Sequence, residues 1–470
     1  MITHYNSVII TLTNMDRDSS GRIDLEKYGV SFMNSISIDT AVDDIGMGRF
    51  QYKLLLLCGL GWAADAMEVL LIAFALPAIA EEWGLTAAQK GLLGTAIFIG
   101  MLAGAWVWGR LSDLIGRKIG FISTVAIDSV FGFLSAFSPS FGVLVFLRAL
   151  TGFGVGGTLP VDYAIFAEYL PTKKRGQYLV LLEAFWAVGT ILAAGLAWLI
   201  VPRFGWRALL AVSAIPGIII YFFRRHVPES PRYLMVKGKA AEAKAVLQQV
   251  AAENRVVLPE FELLPLKAET SNKINQLWHP QLRRTTFLLW LIWFCISLGY
   301  YGIFTWLPSY FRSAGMTLLP VYQNTFILAL AQLPGYFSAA YLVEKWGRKY
   351  TLAFYLVASG LFTFLFAAAT SLNYLVAMGI WMSFFTLGAW GALYAYTPEA
   401  YPTNIRGTGM GAASGMTRIA GAIAPTLGAV LLGGNLVYPL AVFAAAYVVA
   451  GIGALFLNQE TREKPLADIL

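Results

Sequence analysis

Gly109-Arg-Leu-Ser-Asp113-Leu-Ile-Gly116-Arg117-Lys118 closes one apolar segment and opens the next, and its last three residues return as Gly347-Arg348-Lys349, 231 positions later. The same offset, without a gap, pairs Trp62 with Trp293, Leu76-Pro77 with Leu307-Pro308, and Gly84 and Thr86 with Gly315 and Thr317. It also pairs Glu168 with Glu399, Pro171-Thr172 with Pro402-Thr403, and Arg175-Gly176 with Arg406-Gly407. The chain therefore holds two copies of one unit. Each copy is a string of apolar segments joined by charged turns, the pattern of a carrier built from two pseudo-symmetric halves around a midplane site.

Composition fixes the solvent. With 58% hydrophobic and 13% charged residues and a mean hydropathy of +0.64, 470 residues have more apolar surface than a water-soluble fold could bury. Lipid is the expected surrounding. The net charge of +7 does not point to nucleic acid, because the basic residues stand singly or in twos and threes between apolar runs.

A helix crosses a bilayer with about 17 to 25 apolar residues. Twelve such stretches are expected, giving an all-α membrane fold. They lie near 52–80, 90–108, 119–137, 141–166, 177–201 and 207–225, then 285–310, 322–343, 350–370, 373–397, 407–432 and 436–457. Residues 52–226 and 285–457 form the two six-helix halves, residues 227–284 the middle loop, and 1–51 and 458–470 the tails. Lys and Arg collect in alternate loops, at Arg110, Arg117 and Lys118, at Lys173 to Arg175, at Arg283 and Arg284, and at Lys345, Arg348 and Lys349. The opposite loops hold little beyond Arg203, Arg207 and Arg312. The asymmetry puts both tails and the middle loop in the cytoplasm.

The ends say less. The short apolar run Val8 to Leu12 lacks the basic flank and cleavage site of a signal peptide, so the first span is expected to be an uncleaved anchor. Asp16, Asp18, Ser20, Gly21 and Ile23 copy the opening of a calcium loop, but Lys27 stands where the bidentate Glu belongs, which favours a solvated tail. Met33, followed by a polar lead-in, is a candidate native start. Cys58 and Cys295 have no metal-like spacing and imply no disulfide. The chain contains no Asn-x-Ser/Thr sequon, which favours a bacterial inner membrane over a glycosylated surface.

The 109–118 stretch resembles the loop signature of the major facilitator superfamily, with Glu344-Lys-Trp-Gly347-Arg348-Lys349 similar to its second copy. Gly109 and Gly116 are expected to allow a tight turn, and Asp113 with Arg117 to form charge pairs at the cytoplasmic seam. The resemblance makes these residues, with Glu168, Arg175, Glu344, Gly347, Arg348, Glu399 and Arg406, a latch remade during alternating access, against a static clamp as the simpler reading. Arg148 followed by Gly152, Gly154, Gly156 and Gly157 resembles the fourth-helix signature, where glycines suffice to explain close packing. Pro228-Glu-Ser-Pro-Arg232-Tyr-Leu and the tail from Glu460 resemble the sugar-porter branch and read as structural. A nearer likeness lies in the spans. Gly61-Trp-Ala-Ala-Asp65-Ala-Met-Glu68, Leu182-Glu-Ala-Phe-Trp186, Gln332-Leu-Pro-Gly and Leu387-Gly-Ala-Trp390 through Tyr394 to Glu399 resemble the bacterial niacin and nicotinamide transporters. Those sit with the synaptic-vesicle-protein-related branch, which Ile38 to Phe50 also resembles.

Asp65, Glu68, Asp128, Arg148, Asp162, Glu183 and Arg418 fall inside expected spans, where an ionised side chain costs about 2.5 to 3.5 kcal/mol even on lenient scales. They are not repeated. The duplicate positions of Asp65, Glu68, Arg148, Asp162 and Glu183 are Ile296, Gly299, Gly379, Leu393 and Ser414, and that of Arg418 is Ala187. Asp65 and Glu68, three apart on one helix face, cannot both ionise cheaply in low dielectric, so one is expected to hold a proton. The spacing also resembles the acidic pair of aromatic-acid and proton symporters. Asp65, Glu68 and Arg148 are thus the proton-coupling candidates, with a hydrogen-bonded packing pair as the simpler alternative. Asp162 and Glu183 are expected nearer the cytoplasmic ends, and Asp128 stands alone.

Arg418 lies eleven residues past Gly407, or roughly 16 Å along a helix, near the bilayer centre. Its guanidinium needs an anion, and with no acid beside it in its own span, a substrate carboxylate is favoured over a structural pairing. Trp186, Tyr300, Tyr301, Trp390 and Tyr394 complete the expected pocket. The resemblance places all of these but Tyr300 around the family's central cavity, where a flat heteroaromatic acid would stack.

The expectation is a monomeric, proton-coupled carrier that imports a small organic ion, nicotinate or a related aromatic carboxylate. An organic-cation or sugar carrier and a non-transporting receptor of the synaptic-vesicle type are the alternatives. No nucleophile, metal cluster or cofactor motif suggests an enzyme, and no Gly-x4-Gly-Lys-Ser/Thr pattern suggests an ATP-driven pump.

Overall fold

A computed structural model describes residues 34–172, 175–265, 273–402, 405–431, 437–458 and 460–461. The calcium-loop look-alike at 16–27 and the candidate start Met33 lie outside the described residues. Long apolar helices dominate: α2 (Arg49–Trp83), α3 (Ala87–Ile115), α4 (Arg117–Ser135), α5 (Phe141–Glu168), α6 (Arg175–Glu183) and α7 (Phe185–Arg224) in the first repeat. The second repeat gives α11 (Arg283–Ser313), α12 (Leu318–Lys345), α13 (Arg348–Ala367), α14 (Leu372–Glu399), α15 (Arg406–Leu431) and α16 (Val437–Leu455). Among the described residues, 10 helices are long and apolar enough to cross a membrane. One of them, 177–224, runs through the fifth and sixth expected spans and bends at Gly205, where φ is 77°. That backbone is accessible to glycine at little cost. Large apolar side chains such as Leu60, Trp106, Phe137, Phe223 and Val430 point outward, as lipid-facing helices require.

Local signals start and stop the helices where the sequence changes character. Gly84, left-handed at φ 60°, ends α2, and Thr86 caps α3 in a reciprocal box with Gln89. Gly116 and Gly347, at φ 115° and 98°, make the matched turns into α4 and α13. Gly109 does not share that role. It lies inside α3, with nothing near its missing Cβ, because the helix runs on to Ile115 and only Gly116 needs a positive φ.

Within the first repeat α3 packs on α5, α2 on α7 and α4 on α5. Gly152 and Gly156 of α5 rest on the backbone of Ile97 and Met101, leaving no room for a Cβ, so the glycine run is accounted for by close approach. The repeats meet along α3–α15, α7–α12 and α2–α11. Thr95 reaches the Ala422 carbonyl at 3.0 Å, and Tyr322 donates to the Phe74 carbonyl at 2.9 Å.

Residues 34–48, expected within a tail, fold onto the middle loop. Strand β1 (Asn34–Ile36) pairs in parallel with β2 (Phe261–Leu263). Ser37 caps α1 (Ile38–Ile45), whose Ile38, Ala41, Val42 and Ile45 are buried against α9 (Ala240–Asn254). The middle loop also forms α8 (Pro231–Val236) and α10 (Lys273–Gln276). Apolar positions on one face of α1 supply the reason for docking.

Candidate functional site

Two polar sites occupy the interior. The first is a cluster of six ionisable side chains in the first repeat, with four acids, Asp65, Glu68, Asp128 and Asp162, and two bases, Arg148 and Arg224, all buried. Arg148 donates to the Glu68 carboxylate at 2.7 Å and to the Glu68 carbonyl at 2.6 Å. Ser213 donates to the other Glu68 oxygen at 2.6 Å. Arg224 pairs with Asp162, donates to the Phe121 carbonyl at 2.7 Å, and lies 3.9 Å above the Phe121 ring. With those pairs closed, Asp65 and Asp128 have no cation of their own. Both Asp65 oxygens and one Asp128 oxygen are buried without a hydrogen-bond partner. A carboxyl group so placed is stable when neutral, since an unpaired buried charge is far more costly.

Three expectations change here. Asp65 and Glu68 share a helix face but do not act as a pair: Glu68 belongs to Arg148, and Asp65 is left beside the Asp162–Arg224 bridge, which packs around Gly61. Asp128 does not stand alone, because α4 carries it against α5 within electrostatic reach of Glu68 and Arg148. Asp162 finds its base in Arg224 at the end of α7, a buried charge that the sequence reading passed over because it ends its span.

The second site is a cavity at the meeting of the repeats, with about 550 Å³ of space between atoms, its open side included. Its walls include the five expected rings, Trp186, Tyr300, Tyr301, Trp390 and Tyr394, together with Trp62, Met101, Tyr336, Leu387, Thr417, Glu183 and Arg418. Trp62 and Trp186 stand 5.0 Å apart, Tyr300 and Trp390 6.1 Å. Trp186 donates to the Tyr300 hydroxyl at 3.0 Å across the repeats. Arg418 donates from Nη1 to the Ser414 carbonyl at 3.1 Å, while its Nε and the Trp390 indole N–H have no partner. Both unpartnered donors belong to residues of the cavity wall.

Glu183 is the principal correction. It lines the cavity rather than pairing with loop bases, because the helix that runs from 177 to 224 turns its side chain toward Trp62 of α2 and Tyr163 of α5. Trp62 donates to one Glu183 oxygen at 3.1 Å and the Tyr163 hydroxyl to the other. Arg418 therefore does have an acid nearby, supplied by the other repeat. The two side chains line the same cavity without closing an ion pair. Trp62 was visible as the repeat mate of Trp293, and that match was the available pointer to its place.

At the loop seam, Arg117 pairs with Asp113 and reaches Glu168 at 3.6 Å, while Arg348 pairs with Glu344 at 2.9 Å and Glu399 at 3.1 Å. Glu229 accepts from the Lys118 N–H at 3.0 Å, and Glu460 from the Arg348 and Lys349 N–H groups at 2.8 and 3.0 Å. Burial, with the Glu229 and Glu168 charges behind it, pushes the Tyr169 hydroxyl well above its usual pKa, so it stays a donor to the Glu229 carbonyl at 2.9 Å. Arg175 bonds Asp39 of α1 at 3.1 Å, and Arg232 joins the same carboxylate at 2.7 Å. The Arg406 side chain lies outside the described residues. Among the described residues no group of His, Cys, Asp and Glu suits a metal ion.

A two-repeat helical bundle closed around a polar, ring-lined cavity defines a polytopic membrane transporter. The chain belongs to the sugar (and other) transporter family of the major facilitator superfamily, whose model matches residues 53–469. It is 38% identical over 436 residues to the niacin transporter NiaP of Acinetobacter baylyi, covering 91% of this chain and 98% of that protein. It is 34% identical to the synaptic vesicle 2-related protein of Rattus norvegicus, covering 93% and 83%. The xylose transporter XylE from E. coli, in a partially occluded inward-open conformation, superposes with a TM-score of 0.73 at 17% identity over 88% of this chain and 99% of that one. The family, NiaP and XylE are transporters, not enzymes.

Proposed function

We propose that the protein imports a small aromatic carboxylate such as nicotinate by proton-coupled alternating access, as a monomer in a bacterial cytoplasmic membrane with both tails inside. The observation that carries the reading is the unpartnered Nε of Arg418 in a cavity lined by seven aromatic residues. A planar carboxylate fits a guanidinium fork, and a flat ring fits the faces around it. The relation to a niacin transporter supports that substrate class. Asp65, buried and without a cation of its own, is the proposed proton carrier, with Asp128, Asp162 and Arg224 as its charged surroundings, and the closed Glu68–Arg148 pair completes the proton-coupling cluster. The halves 52–226 and 285–457 rock about the cavity, and the Arg117 and Arg348 seams latch one face.

A second reading, transport of an organic cation, is favoured by one observation, the Glu183 carboxylate in the same cavity. Uptake into proteoliposomes of labelled nicotinate, benzoate, choline and glucose, with and without an inward proton gradient, tests both. Gradient-driven accumulation of the two aromatic acids is expected. Accumulation of choline or glucose alone would overturn the first reading.

A further inference from the structure

The cavity has two poles of opposite sign that do not satisfy each other. Glu183 enters from the end of α6 in the first repeat, Arg418 from α15 in the second, and aromatic rings line the same cavity. Each pole is oriented by neighbours: Trp62 and Tyr163 hold one Glu183 oxygen each, and the Ser414 carbonyl holds Arg418 Nη1. Tyr394 adds a third side-chain hydrogen bond to the carboxylate, and a carboxylate, with about four lone-pair sites, keeps acceptor capacity beyond these three donors. A simple anion would use Arg418 and leave Glu183 repelling it across the cavity. A simple cation would do the reverse.

We infer that the site is built for a zwitterion, a carboxylate that also carries a cationic or protonatable ring nitrogen, with Arg418 taking the carboxylate and Glu183 the nitrogen. Glu183 is then the specificity-determining residue, rejecting acids that lack the nitrogen. The rings lining the cavity add cation–π attraction to a pyridinium, as aromatic cages do for quaternary ammonium groups. The discrimination is of the kind in which a polar group of the site is left unpaired by the wrong substrate. This inference rests on the aromatic-carboxylate reading above.

The test is binding to the full-length protein of three ring acids: nicotinate, its N-methyl pyridinium betaine with a fixed positive charge, and benzoate, which has no nitrogen. The wild type is expected to bind the betaine at least about tenfold tighter than benzoate, with nicotinate between, on the worth of a hydrogen bond or contact to a charged group. Glu183→Gln should shift the betaine-to-benzoate affinity ratio at least tenfold toward benzoate, and Glu183→Asp should restore part of it. Equal binding of all three acids by the wild type overturns the inference while leaving the carboxylate reading standing. That outcome needs no variant to fold. Absence of binding by every acid overturns both, and a ratio unmoved by Glu183→Gln assigns Glu183 to structure.

Discussion

At the loop seam the two repeats agree almost atom for atom, and in the interior they share hardly a charge. Arg117 meets Glu168 as Arg348 meets Glu399, and Glu229 caps the turn into α4 as Glu460 caps the turn into α13. Ser230 donates to Glu168 as Thr461 donates to Glu399. Glu229 and Glu460, like Ser230 and Thr461, stand at the repeat spacing, so the duplication continues through segments that looked like loop and tail. Inside, the cluster around Asp65 has Ile296, Gly299, Gly379 and Leu393 at its matching positions. What both halves need for their shared fold is duplicated. What only one half carries is therefore the place to look for coupling.

The largest expected effect tests that division directly. Asp65→Asn removes an ionisable group without removing a hydrogen-bond partner from its neighbours, and it should abolish gradient-driven accumulation while leaving substrate exchange. Undiminished accumulation in proteoliposomes would place the proton elsewhere. Arg148→Ala addresses stability, since Glu68 would keep a buried charge without its partner. A loss of about 3 to 5 kcal/mol is expected, read as a large fall in the thermal unfolding midpoint. The paired replacement Arg148→Met with Glu68→Met should restore most of the midpoint and still fail to couple. A stable, coupled double variant would make the interior asymmetry ornamental.

Across the halves, Arg418→Lys keeps the charge and loses the planar fork, so nicotinate should bind more weakly by about 1 to 3 kcal/mol. Neutral nicotinamide should lose much less. Equal losses by calorimetry would give the arginine a structural role.

Much of this was legible in the chain. The apolar runs give the spans, the repeat offset gives the seam, and Arg418 with the ring residues points to the cavity that the fold holds. Glu183 is drawn into the cavity by Trp62 of α2 and Tyr163 of α5, contacts between helices that no count of depth along its own helix encodes. The Asp162–Arg224 bridge joins α5 to the far end of α7, a contact between helices that no periodicity within either one encodes. The docking of α1 on α9 was hidden for the same reason, although its one-sided apolar pattern was present.

The seam gives a smaller and symmetric effect. Arg117→Ala and Arg348→Ala each remove an equivalent pair of carboxylate contacts, so each should slow turnover by on the order of tenfold, about 1.4 kcal/mol, and leave equilibrium binding of nicotinate nearly unchanged. Measuring uptake rate and affinity in one preparation separates a latch from a clamp. Affinity that falls with rate in both variants would show the seam holding the fold rather than biasing a conformational change.

The smallest effect is the sharpest probe of equivalence. The Glu229 carboxylate bonds the N–H of Lys118 and the N–H of Ser230, and Glu460 bonds two N–H groups at the start of α13. In each case a negative charge faces the positive end of a transmembrane helix. Replacing either glutamate by glutamine keeps one acceptor oxygen and removes the charge, which should cost roughly 0.3 to 1 kcal/mol. The two losses should agree within the error of a thermal unfolding measurement, and both should shrink as salt screens the helix end. If Glu229→Gln is costly and Glu460→Gln is silent, the seam is duplicated in sequence but not in energy. The contrast between a shared frame and a specialised interior would then begin at the loops.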